Sequence, residues 1–248
     1  MAQGKIRVGI GGWTFEPWRG VFYPQDLTQK RELEYAAAHL TSIEINGTYY
    51  GSQKPATFAN WAKAAPDGFV FSVKASRYTT NRKVLAEGAE SVERFLKQGI
   101  VELGDRLGPI LWQFMATKKF DAHDFAGFLA LLPEKQDGLV LRHALEVRHE
   151  SFVDPAFYAL AKNHNCAIVF ADSDEFPKIE EPTSDFTYAR LQRTVEDVPT
   201  GYDAKALDGW AETAKGWAKG GRDVFVYMIS GAKVRNPAAA MALIERLD

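Results

Sequence analysis

The sequence holds a single cysteine, Cys166, among 248 residues. That excludes an intrachain disulfide framework and any cysteine-rich zinc site. The surrounding run, "CAIVF", reads as a core strand, so a packed, inert thiol is expected rather than a nucleophile. No apolar run approaches the roughly 20 residues of a membrane span, and no membrane partner is expected. Neither sign of charge dominates: 30 Lys and Arg face 32 Asp and Glu, for a formal net charge of −2. Such a chain has no general electrostatic pull toward nucleic acid, which is an admissible but unfavoured partner. Residues 1–5 lead into the strand-like "IRVGI" without a signal-peptide pattern, so the expected compartment is the cytoplasm. The sequon Asn46-Gly47-Thr48 then reads as accidental.

What is present is alternation. Strand-like runs fall at residues 7–11, 42–46, 70–74, 110–114, 145–148, 167–171, 186–190 and 224–228. Helix-like runs lie between them at 29–39, 56–65, 84–107, 122–131, 155–163, 204–219 and 237–247. Asp154-Pro155 and Asn236-Pro237 each give an N-cap followed by proline at the first helical position. Eight β/α alternations without a linker predict a single α/β domain over residues 1–248, a (β/α)₈ TIM-type barrel. An open doubly wound sheet is the alternative. After the sixth strand, "DSDEFPKIEEPTSD" is too short and too proline-rich for a crossover helix, so that helix is expected to be degenerate or missing.

In such a barrel alternate residues face the lumen, and ligand chemistry gathers at the carboxyl ends of the strands. Lumen-facing polar residues at those ends are Glu44 and Asn46, Ser72 and Lys74, Gln113, Glu146 and Arg148, Asp172, Tyr188 and Arg190, and Tyr227. Buried charges persist only when paired, so Glu44, Lys74, Glu146, Arg148, Asp172 and Arg190 are expected to form a network open to ligand. A purely structural layer of ion pairs is the competing explanation, but it would not need every polar residue at one rim.

Two loops add candidates. The first, "GGWTFEPWRGVFYPQDL", carries Trp13, Phe15, Trp18, Phe22 and Tyr23, which either stack on a sugar or base or pack on each other. Its glycines lack the dinucleotide fingerprint. The last, "ISGAKVRNPAA", offers Gly231, Lys233, Arg235 and the helix start at Asn236 to an anion. Only one histidine, His149, is expected near the mouth. A magnesium or manganese site at Glu44, Glu146 and Asp172 would compete with Lys74, Arg148 and Arg190 for the same carboxylates. No metal is assigned and no cofactor can be named.

The segments "GIGGWTFEPWRGVFYP", "TSIEINGTYY", "FANWAKAAPDGFVFSVKAS", "LGPILWQF" and "LEVRHESF", in this order, resemble the YecE-like proteins, domain-of-unknown-function family 72. The resemblance implies a TIM-type barrel and brings no established activity. Its characteristic polar positions correspond to Glu44, Asn46, Lys74, Gln113, Glu146, Arg148, His149 and Asp172. The chain departs from the pattern at Asn81, at Gln192, and at Ile229-Ser230, where a histidine, a histidine or glycine, and paired asparagines are expected.

The expected function is acid/base enzymology on a small polar or anionic substrate, such as a sugar or phosphate ester, of hydrolase, lyase or isomerase type. Glu44 and Glu146 are the expected acid/base pair, with Lys74 and Arg148 completing the catalytic set. A Schiff base on Lys74 is a lesser reading. Trp13, Asn46, Gln113, His149, Asp172, Arg190, Tyr227 and Lys233 are the expected substrate-binding residues. A non-catalytic module for nucleic acid or protein is the alternative. Nothing in the sequence speaks to oligomeric state.

Overall fold

The computed structural model describes residues 3–248. Period-two alternation along the strands sends side chains into two separate apolar cores. Ile43, Ile45, Val73, Ile110, Trp112 and Leu145 face outward against helices. Val70, Leu111, Ala144, Val169, Tyr188, Phe225 and Tyr227 fill an inner core. A parallel sheet that buries both faces is either an open sheet with helices on both sides or a closed barrel with helices outside, and the strand order decides.

The strands in chain order are β1 (Ile6–Gly11), β2 (Ser42–Ile45), β3 (Val70–Lys74), β4 (Leu107–Gln113), the outlying hairpin β5 (Lys135–Gln136) and β6 (Leu139–Val140), then β7 (His143–Glu146), β8 (Ala167–Ile168), β9 (Phe170–Asp172), β10 (Phe186–Leu191) and β11 (Asp223–Met228). The large sheet runs β8-β7-β4-β3-β2-β1-β11-β10-β9. Its ends, β8 and β9, are consecutive in the chain and separated only by Val169, whose N–H donates to the Leu145 carbonyl at 3.0 Å. The barrel therefore closes through a sixth stave broken in the middle, and the expected fold holds.

The helices are α1 (Glu32–His39), the single turns α2 (Gly47–Tyr50) and α4 (Arg77–Thr80), α3 (Pro55–Ala64), α5 (Ala89–Leu96), α6 (Ala122–Leu129), α7 (Pro155–Asn163), α8 (Ala204–Trp217) and α9 (Asn236–Ile244). No helix lies between Asp172 and Phe186, as the proline-rich interval predicts. Asp154 caps α7 by accepting the Ala156 N–H at 2.7 Å. Two expectations need correction. The run 84–107 is not one helix: Gly99 (φ 112°) and Gly104 (φ 58°) turn the backbone left-handed, leaving α5 flanked by 3₁₀ turns at Leu85–Glu87 and Ile100–Arg106. Asn236 is the first residue of α9 rather than its cap, and its side chain is engaged elsewhere. Among the described residues no helix is long and apolar enough to cross a membrane.

Candidate active site

The lumen becomes polar by layers toward the carboxyl end of the strands. Midway up, the Tyr227 hydroxyl lies 2.7 Å from Ser42 Oγ and 2.6 Å from Ser72 Oγ. Ser42 donates to the Val70 carbonyl, so Tyr227 donates to Ser42 and accepts from Ser72. This fully buried layer separates the apolar floor from the charges above.

Above it stand two buried carboxylates and the guanidinium between them. Glu44 accepts Tyr188 OH at 2.6 Å and Arg190 Nε at 3.2 Å on one oxygen, and Arg190 Nη2 at 3.1 Å on the other. Glu146 accepts Arg190 Nη1 at 2.6 Å and Gln113 Nε2 at 2.7 Å on one oxygen. Its second oxygen takes Arg148 Nε and Nη2 at 3.0 and 2.9 Å. Register makes this possible, since β4 and β7 pair Gln113 directly with Glu146. Burial alone would raise the Glu146 carboxyl, but Arg190, Arg148, the Gln113 hydrogen bond and Lys74 outweigh it and hold it down at about 2. Burial would lower Arg190, yet Glu146 and Glu44 raise it, so both partners stay ionised. Two carboxylates against two guanidiniums make this cluster neutral.

Lys74, at the end of β3, is left over. Glu44 and Glu146 are taken up by Tyr188, Gln113 and the two arginines, and among the described residues Lys74 Nζ has neither hydrogen bond nor ion pair. Its neighbour is the face of Tyr49, 4.3 Å from Nζ to the ring centroid. Tyr49 is carried on α2, which Thr48 ties to β3 by donating to the Lys74 carbonyl at 2.6 Å. Asn81 Nδ2 steadies the Tyr49 hydroxyl at 3.2 Å. Burial, helped by Arg190 and to a lesser extent Arg148, brings Lys74 down to about 8 against the opposing pull of Glu44 and Glu146.

A cavity of about 560 Å³ opens over this layer. Its wall holds four cationic side chains, Lys74, Arg148, Arg190 and Lys233, and among the described residues no carboxylate. Trp13 and Trp61 form an aromatic side, their rings edge to face at 5.2 Å. Gly11 keeps the floor open: a Cβ there would sit 2.5 Å from Ile229 Cδ1 and 2.8 Å from Asn46 Nδ2. Lys233 lies over the Phe15 ring at 4.1 Å and its carbonyl accepts Trp18 Nε1 at 2.9 Å, so the first loop holds the last loop in place. Asn236 accepts from Thr194 Oγ1 at 2.9 Å and donates to the Ser230 carbonyl at 3.2 Å.

Of the residues expected from the sequence, Trp13, Asn46, Lys74, Gln113, Arg148, Arg190 and Lys233 meet at this cavity. Glu44 and Glu146 stand behind it as counter-ions, and Tyr227 lies a layer below. Asp172 turns to Arg193 at 3.5 Å, and burial raises its carboxyl despite that arginine. His149 Nδ1 faces Ser151 at 2.9 Å. The remaining first-loop aromatics, Trp18, Phe22 and Tyr23, pack on one another. Arg235 turns to the Glu196 carbonyl. Tyr50, Gln53 and Trp61 line the cavity without having been singled out. The aromatic pair Tyr49-Tyr50 directly after the second strand was the available signal. Among the described residues no group of three or more His, Cys, Asp or Glu is placed to hold a metal ion.

A family model described as a protein of unknown function, DUF72, matches residues 7–248. The chain belongs to this family. This DUF72 barrel is similar to a DUF72 family protein from Thermotoga maritima MSB8, with 24% identity over 97% of each chain and a TM-score of 0.76. It is also similar to one from Enterococcus faecalis V583, with 18% identity over 100% of each chain and a TM-score of 0.73. A D-psicose 3-epimerase from Clostridium cellulolyticum H10, solved with D-tagatose, shares the barrel at 13% identity over 97% of this chain and 96% of its own, with a TM-score of 0.52. No curated protein matches the chain.

Proposed function

We propose that this DUF72 barrel is an enzyme that transfers protons on a small anionic substrate, a sugar phosphate or sugar acid, held at the mouth of the barrel. The observation that carries the reading is a cavity walled by four cations and, among the described residues, no carboxylate. Two of those cations are neutralised from behind by Glu44 and Glu146, and Lys74 and Lys233 are not. An anion entering the cavity supplies the missing partner. The indoles of Trp13 and Trp61 suit the C–H face of a sugar.

The proton-transfer group in this proposal is Lys74 rather than the Glu44 and Glu146 pair. A carboxyl held at about 2 between two arginines is a poor acid near neutrality, and both carboxylates are absent from the cavity wall. An amine near 8 that reaches the cavity meets both requirements. Arg148, Arg190 and Gln113 would face the oxyanion formed when a proton leaves carbon. The epimerase neighbour supports the barrel alone, so the substrate class is argued from the side chains.

The test is solvent exchange. A panel of aldose phosphates, ketose phosphates and sugar acids is incubated with the protein in deuterium oxide and followed by proton NMR. Loss of a carbon-bound proton signal with wild type, abolished in Lys74→Met, supports the reading. No exchange and no saturable binding for any panel member overturns it.

A further inference from the structure

Lys74 is placed as a nucleophile as well as a base. Its nitrogen reaches a cavity, has no partner of its own among the described residues, and is shielded on one side by the Tyr49 ring at 4.3 Å. Its main chain is fixed by Thr48. Glu44 and Glu146 are paired directly with Arg190 and Arg148, so they favour the ammonium only from a distance, while burial and the two guanidiniums disfavour it. The cavity wall supplies a separate cation, Lys233, for an anionic group on the same ligand. Resting on the reading of this mouth as an anion site, we propose that Lys74 forms a Schiff base with an anionic carbonyl compound, a 2-oxo acid or a ketose phosphate.

The step balances without an added redox partner. The nitrogen lone pair forms a bond to the carbonyl carbon and the carbonyl π pair moves to oxygen. A proton passes from nitrogen to that oxygen, and a second proton from solvent lets it leave as water. The product is an iminium ion, an electron sink for loss of a proton or a carbon group from the neighbouring carbon. At pH 8 about half of Lys74 is free amine, against about 0.3% for a lysine at its ordinary 10.5, a preference of about a hundredfold over exposed lysines.

The experiment is reductive trapping. The full chain is incubated at pH 8 with pyruvate, dihydroxyacetone phosphate or acetone, then treated with sodium borohydride, which delivers hydride to the imine carbon and leaves a stable secondary amine. Intact mass and peptide mapping read the site. The expected result is one adduct on Lys74 with either anionic probe, at least about tenfold above any other lysine. It should be absent with acetone, suppressed by inorganic phosphate and missing in Lys74→Arg. Wild-type peptide mapping decides the matter even if that variant folds poorly. Adducts spread evenly over surface lysines overturn the proposal. Saturable binding of dihydroxyacetone phosphate without an adduct also overturns it, and leaves the anion site standing. Neither binding nor adduct overturns both.

Discussion

Replacing Lys74 with methionine should make the protein more stable at neutral pH. Methionine has similar length and no charge, and the lysine sits buried without an ion-pair partner among the described residues. The drop from 10.5 to about 8 corresponds to about 3 kcal/mol of disfavoured protonation. The Tyr49 face returns up to about 2 kcal/mol of that as a desolvated cation–π contact. A gain of about 1–3 kcal/mol is therefore expected for Lys74→Met below pH 8. The folded-state value lies below the unfolded one, so both states are protonated under pH 8 and the penalty is fully present there. Between about 8 and 10.5 the folded state releases its proton first, and wild-type stability rises relative to the variant. Urea unfolding of both proteins at pH 7 and near pH 10.5 measures this. The variant should have the higher midpoint at pH 7 and nearly the same midpoint at the higher pH. A variant less stable at pH 7, or a gap that does not close, would refute the reasoning about an unpaired amine.

Three further outcomes follow from the same geometry. Arg190→Met strips Glu44 and Glu146 of their shared partner and should cost about 3–5 kcal/mol in urea unfolding; a loss under about 1 kcal/mol would mean the cluster is not the buried counter-ion set described. Glu146 lies below its ordinary 4.5, so its contribution of about 3 kcal/mol is complete above that pH and fades as pH falls toward 2. The stability gap between wild type and Glu146→Gln should narrow across that window, and a constant gap would contradict the assignment. Cys166 is buried and its thiol is pushed up to about 12 by burial. A disulfide reagent should react with it only as fast as the protein unfolds, so a rapid phase in native buffer would be inconsistent with its packing.

The barrel was legible because its signals are local. Alternation in 42–46 and 70–74 separates Ile43, Ile45 and Val73 from Glu44, Ser72 and Lys74 without any tertiary information, and the structure keeps those faces apart. The broken run 84–107 shows the limit of periodicity. Val92, Phe95, Leu96, Ile100 and Leu103 keep a helical rhythm and all reach the core, while Gly99 turns the backbone between Leu96 and Ile100 and Gly104 turns it again after Leu103. Five of the six expected charges converge because strand ends share a rim, whereas Asp172 turns away to Arg193. Which carboxylate neutralises which cation was not legible. Glu44 and Glu146 are equivalent in the sequence pattern, and register places Arg190 between them and leaves Lys74 alone. Side chains carried by helices rather than strands, such as Trp61 and Tyr49, had no period that pointed to the mouth.

The most direct measurement is calorimetric titration of dihydroxyacetone phosphate into the full chain at low salt, repeated with Lys74→Met and with Lys233→Met. One saturable site per chain is expected, weakened at least about tenfold, or about 1.4 kcal/mol, by each substitution. Binding that ignores both lysines, or none by a folded wild-type protein, would contradict an anion site at the barrel mouth.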